Sequence, residues 1–287
     1  MNKRGENYQF EMSSPITAEK SCSRLSTHLT YGTISHRAVF QEATKKRDQI
    51  KHTNKNFAKS INSFLSRLHW RSHFIQKLED QPSIEHTSFI PVYDQIREKD
   101  EEKLEAWIEG KTGVHFIDAC MIYLRNYGWI NFRMRAMLAS FASYNLWLDW
   151  RYFAPRLAAL FTDFEPGIHY SQIQMQSGTT GINTIRMYNP YKQAMDQDPL
   201  AKFIKSQIPK VKNFPPAFFH NPPKKSLNVN LFDNEFQKEI INVKETAQYA
   251  RKKIFDIRKS QEHKILAKNV YLKPVSYTHL TLPTTVR

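Results

Sequence analysis

"GWINFRMRAMLASFASYNLWLDWR", Gly128 to Arg151, sets three arginines and three tryptophans into a stretch whose apolar positions recur at helical spacing. Met134, Leu138, Phe141, Asn145 and Leu148 fall on one stripe, as expected of a helix buried along one face. Ala139, Ser140, Ala142 and Ser143 keep that helix thin enough for close packing against a neighbour. An unpaired guanidinium in such a helix is costly, so Arg133 and Arg135 call for partners. Two residues apart on a helix, they point about 200° away from each other and serve different ones. Gly128 is expected to separate this helix from an earlier one around Phe116 to Asn126.

Outward from this stretch the periodicities stay helical. Val243, Ala247, Ala250, Ile254 and Ile257 recur at spacings of four, three, four and three, and Phe64, Leu68, Arg71, Ile75 and Leu78 repeat the rhythm. Alternating strand patterns are scarce and no internal repeat occurs, which predicts an all-α fold with many helices around one core. "NFPPAFFHNPPKK", Asn213 to Lys225, reads as a surface loop before a last basic helix. With 287 residues, 40% of them hydrophobic, the chain can bury one large core or two modest ones.

Charge narrows the partners. The chain has 42 Lys+Arg against 27 Asp+Glu, a formal +15, which favours a polyanion such as nucleic acid, and the basic run Lys45 to Ser60 extends such a phosphate-tracking face. Two cysteines, Cys22 and Cys120, build no disulfide framework, and the polar start carries no apolar leader, so the expected setting is reducing and cytoplasmic. No apolar run approaches the roughly 18 residues of a membrane span. The 11 histidines and two cysteines show no convincing metal-ligand spacing. No metal and no membrane are expected, and the chain is expected to be a monomer.

"AWIEGKTGVHFIDACMIYLRNYGWINFRMRAMLASF" followed by "LDWR" resembles the flavin domain of the photolyase/cryptochrome family, with its W-x-E-G-x-T-G, D-A-x-M, G-W, R-x-R, A-S-F and D-W-R series. The resemblance extends upstream to "SCSRLSTHLTYGTISHR" (Ser21 to Arg37) and downstream through "RMYNPYKQ" to "KETAQYARKKI", from Ser21 to Lys253. It implies a helical FAD-binding domain over 21–274, with 1–20 the residual linker from a missing N-terminal α/β antenna domain whose chromophore is unknown. "VSYTHLTLPTTVR", 275–287, looks like a translated sequencing-adapter tail and is set aside as non-native.

The resemblance also assigns residues. Hydroxyls at Ser21, Ser23, Ser26 and Thr27 gather where a helix is expected to begin, a site suited to a pyrophosphate. Cys22, Ser23, Arg24, Leu25 and Ser26 match the family's phosphate segment, although Cys22 replaces the usual threonine. Arg135 is expected to pair with Asp163 beside a U-shaped FAD. Arg71, Phe132, Glu165 and His169 complete the cofactor contacts, with Glu165 in place of a second aspartate. Trp150 matches the middle member of the family's electron-transfer chain, but the flavin-proximal place falls on Ile173 and the outer one near Arg97. That interruption predicts slow flavin photoreduction, or a substitute relay such as Tyr170 or Trp129. His169 falls opposite flavin N5, where a histidine titrating near neutrality predicts pH-dependent flavin redox behaviour.

On the substrate side, Arg67, Trp70, Arg71, Arg133 and Met175 are expected to face DNA carrying a flipped-out damaged base. Arg67 stands where the family has a glutamate, Phe132 where it has an asparagine and Met175 where it has a tryptophan. Two functions are therefore implied. One is a blue-light-driven photolyase repairing pyrimidine lesions by electron transfer from reduced flavin, for which an extruded base needs a cationic rim and an aromatic pocket. The other is a cryptochrome-like photoreceptor without repair activity.

Overall fold

A computed structural model describes residues 4–181, 185–221 and 238–272. The chain runs through α1 (Tyr8–Glu11), α2 (Pro15–Ser21) and α3 (Ser26–Thr30) into the long pair α4 (His36–Ile50) and α5 (Lys55–Asp80). There follow α6 (Glu101–Glu109), α7 (His115–Tyr127), α8 (Phe132–Ser140), α9 (Trp150–Ala158) and α10 (Pro166–Ser177). The last helices are α11 (Pro190–Gln197), α12 (Lys202–Gln207), α13 (Val243–Lys259) and α14 (Gln261–Leu272). Among the described residues no strand forms, and Glu98 and Leu148 make a single isolated bridge. The all-α expectation holds.

Local rules explain most boundaries. Asn54 and Asp100 cap α5 and α6 through their side-chain oxygens, satisfying backbone N–H groups that have no partner within the helix. α7 ends at Gly128, which adopts φ 63°, and a β-carbon there would fall on Thr162 Cγ2, so both backbone and space require glycine. Gly128 O accepts from Thr162 N at 2.9 Å, tying the α7–α8 corner to the loop before α10. α10 in turn lies almost backbone-to-backbone on α5: a β-carbon on Gly167 would stand 2.7 Å from Ile75 Cα. Trp107, Trp150, Phe141, Phe153 and Met121 fill the main core.

The structure bears on three further expectations. The stripe from Met134 to Leu148 is not one helix: Phe141–Asn145 forms a π-turn, Trp147 takes φ 57°, and helix resumes at Trp150. The interruption is held from outside, since Glu98 N donates to Trp147 O and Asp149 N to Glu98 O, while Trp147 Nε1 donates to Ile96 O at 2.9 Å. Secondly, residues 4–20, within the expected linker, are hydrogen-bonded to the helices. Arg4 donates to Cys22 O and Glu19 O, Ser14 Oγ to Gln197 O at 2.6 Å, and Asn131 Nδ2 to Met12 O and Ser13 O. Thirdly, the segment from Asn213 is more than a surface loop, for Phe219 is buried and its ring meets His115 edge-on at 5.4 Å. Residues 222–225 of that loop, and the tail 275–287, lie outside the described residues.

Candidate functional site

The site is built where α3, α5, α8 and the loop before α10 converge. Arg135, on α8, donates Nη1 to Asp163 Oδ1 at 3.0 Å and Nη2 to Oδ2 at 2.9 Å, and its Nε donates to Ile130 O at 2.7 Å. Both oxygens of one carboxylate thus meet one planar guanidinium, the geometry that fixes orientation as well as charge. Burial acts to raise the Asp163 carboxyl, but the Arg135 guanidinium and the Ser26 hydroxyl outweigh it and hold it below its ordinary value. The pair is therefore an ionised one. α3 lies directly against it, with Thr30 Oγ1 donating to Asp163 O at 3.5 Å and the Thr27 and Thr162 hydroxyls 3.5 Å apart.

The turn before α3 is shaped by Arg24, a non-glycine residue at φ 61°. That conformation costs on the order of 1–3 kcal/mol and persists only where surroundings fix it. Its guanidinium lies 4.0 Å over the Trp129 ring, a contact that holds it in place. Ser23 Oγ accepts from Leu25 N at 3.4 Å, and Ser26 opens α3 with no side-chain cap. Ser21 departs from expectation: it closes α2 rather than opening a helix, and its hydroxyl donates to Glu11. Cys22 is half-buried, and burial pushes its thiol up to about 11, so it is protonated at neutral pH.

Arg71 and Glu165 form a second ion pair across the same region. Arg71 Nη2 donates to Glu165 Oε2 at 3.2 Å and to Leu29 O at 3.2 Å, tying α5 to α3 and to the start of α10. Arg71 is thus turned inward to the cluster, against its expected second role on the substrate face. Trp70 and Arg67 stand exposed on α5, with Trp70 stacked on Phe74 at 5.6 Å and Arg67 beside the Tyr8 hydroxyl. Phe132, on the first turn of α8, is 54% exposed rather than part of the buried cluster. Arg133 points away from Arg135, as the helical geometry requires, and its Nη1 reaches Gln193 Oε1 on α11 at 3.5 Å. Met175 is half-buried on α10.

His169 is corrected in its expected chemistry. It is buried against Phe164 and Tyr170, and its Nε2 meets Ala154 O at 2.9 Å. A carbonyl only accepts, so Nε2 carries the proton and Nδ1 is the acceptor. Burial, aided by the Arg135 charge and opposed by the Ala154 carbonyl, lowers its pKa to about 4. It stays neutral from pH 5 to 8, outside the range where titration was expected.

Trp150 is fully buried, and Nε1 donates to Ser88 Oγ at 2.9 Å. The Tyr170 ring on α10 lies 6.4 Å away at 69°, on the same helix as buried Ile173. Arg97 lies in the core, donating to Ser143 O at 3.0 Å and Ser177 O at 2.7 Å with its guanidinium 5.0 Å from the Trp147 ring. Sequence reasoning missed the Arg24–Trp129 contact and the Arg71–Glu165 pair. The signal for the second was only an acid and a base 94 residues apart.

The family profile described as "FAD binding domain of DNA photolyase" matches residues 64–264, more than half the chain, from within α5 to beyond the end of α13. The chain belongs to this family. A deoxyribodipyrimidine photo-lyase of Buchnera aphidicola subsp. Baizongia pistaciae is 32% identical over 241 residues, covering 82% of this chain and 48% of that protein. The photolyase-family neighbours in three dimensions agree. The archaeal photolyase of Sulfolobus tokodaii, solved with two FAD molecules, superposes with a TM-score of 0.69 at 29% identity, over 86% of this chain and 52% of that one. A Synechocystis cryptochrome superposes at 0.78 with 22% identity, over 88% and 52%, a likeness of fold alone. The chain spans about half the length of the curated relatives it matches. Among the described residues no cluster of His, Cys, Asp and Glu could hold a metal, and no helix is long and apolar enough to cross a membrane.

Proposed function

We propose that this chain is the cofactor-binding domain of a photolyase-like lyase that repairs pyrimidine lesions in DNA under blue light. The observation that carries the reading is the two-pronged Arg135–Asp163 pair set against the Ser23 to Ser26 turn. The donor set suits FAD: Ser23, Arg24 and Ser26 offer hydroxyls and a cation to a pyrophosphate, while Asp163 and Glu165 offer acceptors to a ribose or a ring N–H. Bound FAD supplies light absorption and single-electron chemistry. The protein's part is to hold and orient: Arg135 keeps Asp163 ionised and fixed, Arg71 fixes Glu165 in place, and neutral His169 presents Nδ1 as a fixed acceptor. Trp70, exposed and stacked, with cationic Arg67 one helical turn before it, offers a surface for an extruded base and its phosphates. The photo-lyase name of the Buchnera relative supports the repair reading.

A cryptochrome-like photoreceptor without repair activity is the second reading, favoured by Arg67 in the place where the resemblance calls for a carboxylate. One experiment tests both. FAD is added to the purified full chain and reduced anaerobically with dithionite, and blue light is applied with an oligonucleotide carrying a pyrimidine dimer. The expected result is stoichiometric FAD, lost in Asp163→Asn, and light-dependent restoration of the undamaged strand. Stoichiometric FAD without restoration selects the photoreceptor reading, and failure of the wild-type chain to bind FAD sinks both.

A further inference from the structure

On the other side of α8 from the Arg135–Asp163 pair lies a cavity of about 640 Å³ between α11, α13 and the segment leading into α11. Arg186, Lys192, Arg251 and Arg258 line it, and among the described lining residues no side chain is acidic. Arg251 and Arg258 share one face of α13 with Phe255, at i, i+7 and i+4. Phe255 is 49% exposed, and with Tyr188, Ile185 and Met187 it gives the cavity an apolar wall.

The polar groups between these walls have their acceptors already used. Asn189 Oδ1 accepts from Tyr191 N and Lys192 N as the cap of α11, and Gln193 Oε1 accepts from Arg133 Nη1. What Asn189 and Gln193 retain is their amide N–H capacity. A wall of donors and four cations selects an acceptor-rich anion, and the half-exposed ring of Phe255 selects a flat apolar body beside it. The volume falls within the range of small-molecule sites. Phosphate joined to a planar base is the chemistry that satisfies both halves.

We propose that this cavity binds a nucleotide unit, with its phosphate on Arg251 and Lys192 and its base against Phe255. The site is separate from the proposed cofactor cluster, because Arg133 turns to it and Arg135 turns away. Two sources carry this chemistry, a free mononucleotide and one unit of a single strand.

The test is calorimetric titration of the full chain, saturated with FAD, against adenosine 5′-monophosphate, a single-stranded hexathymidylate and inorganic phosphate. The expected result is binding of the mononucleotide or the oligonucleotide, weakened about tenfold or more by Arg251→Glu or Lys192→Glu and also weakened by Phe255→Ala. Binding of the mononucleotide identifies a free ligand; binding of the oligonucleotide alone identifies a strand. All three positions are exposed or half-exposed, so the variants should keep the far-ultraviolet circular dichroism of the wild type. FAD stoichiometry is read by absorbance on the same samples and should be kept by Arg251→Glu, Lys192→Glu and Phe255→Ala, so that a failure of the FAD reading is told apart from a failure of this one. The proposal is overturned if neither nucleotide probe binds, if the charge reversals leave affinity unchanged, or if inorganic phosphate binds as tightly as the mononucleotide and Phe255→Ala has no effect.

Discussion

Two histidines show that residue type alone does not fix where a group titrates. His169 and His115 are both held to a pKa of about 4, in each case chiefly because burial disfavours the cation. A folded pKa below the unfolded value near 6.5 means that the unfolded chain binds more protons, so stability rises with pH between about 4 and 6.5 and is lost as pH falls through that window. Each histidine should therefore withdraw about 2 kcal/mol between pH 7.5 and pH 5. Urea unfolding of the wild type against His115→Phe checks this: the variant should lose less stability on acidification, and an identical pH dependence would show that His115 is not desolvated. For His169 the same burial gives a second expectation. Replacement by Asn should leave the slope of flavin potential against pH unchanged from pH 5 to 8, because the wild-type ring is already neutral there. A changed slope in spectroelectrochemical titration would restore His169 as a titrating group.

At the scale of elements, the corner at Gly128 ties the helical frame to the cluster. Gly128→Ala forces an L-residue to φ 63° and drives its β-carbon onto Thr162 Cγ2. The backbone part alone costs about 1–2 kcal/mol, which for a domain of this size lowers the melting temperature by at least about 2–4 °C. Adding Thr162→Ser removes the colliding methyl and keeps the hydroxyl that donates to Gly128 O. The double variant should recover the steric part and not the backbone part, and full recovery in a thermal melt would mean that the φ constraint is negligible. Such corners were legible in the sequence because they are local: Gly128 sits where one apolar stripe stops and the next begins. The π-turn at Phe141–Asn145 was not legible, because Glu98 and Ile96, more than 40 residues upstream, hold Trp147 out of the helix. In the site, Arg135 and Asp163 could be paired in advance because their flanking motifs fix their places. Arg71–Glu165 could not, since in a chain this rich in charge many pairings are equally open until the backbone is folded.

For the whole molecule, the formal +15 should appear as salt dependence. Binding to damaged duplex is expected to weaken linearly in log–log coordinates with salt, and Arg67→Ala should reduce the slope by about 0.9, the contribution of one phosphate contact. Fluorescence anisotropy across a salt series measures it, and an unchanged slope would take Arg67 off the DNA face. FAD should stabilise the fold by about 2.7 kcal/mol at a hundredfold excess over its dissociation constant, a gain that Asp163→Asn should abolish in the same thermal melt. The bond from Ser14 to Gln197 has a different consequence, one of timing. It joins residues 183 apart in the chain. At a synthesis rate of about 5–20 residues per second, α2 leaves the ribosome on the order of 10–40 s before its partner has been made. Within this domain α2 is thus made well before the partner that Ser14 meets, and during that interval its Ser14 face is open to whatever chaperone reaches the nascent chain first.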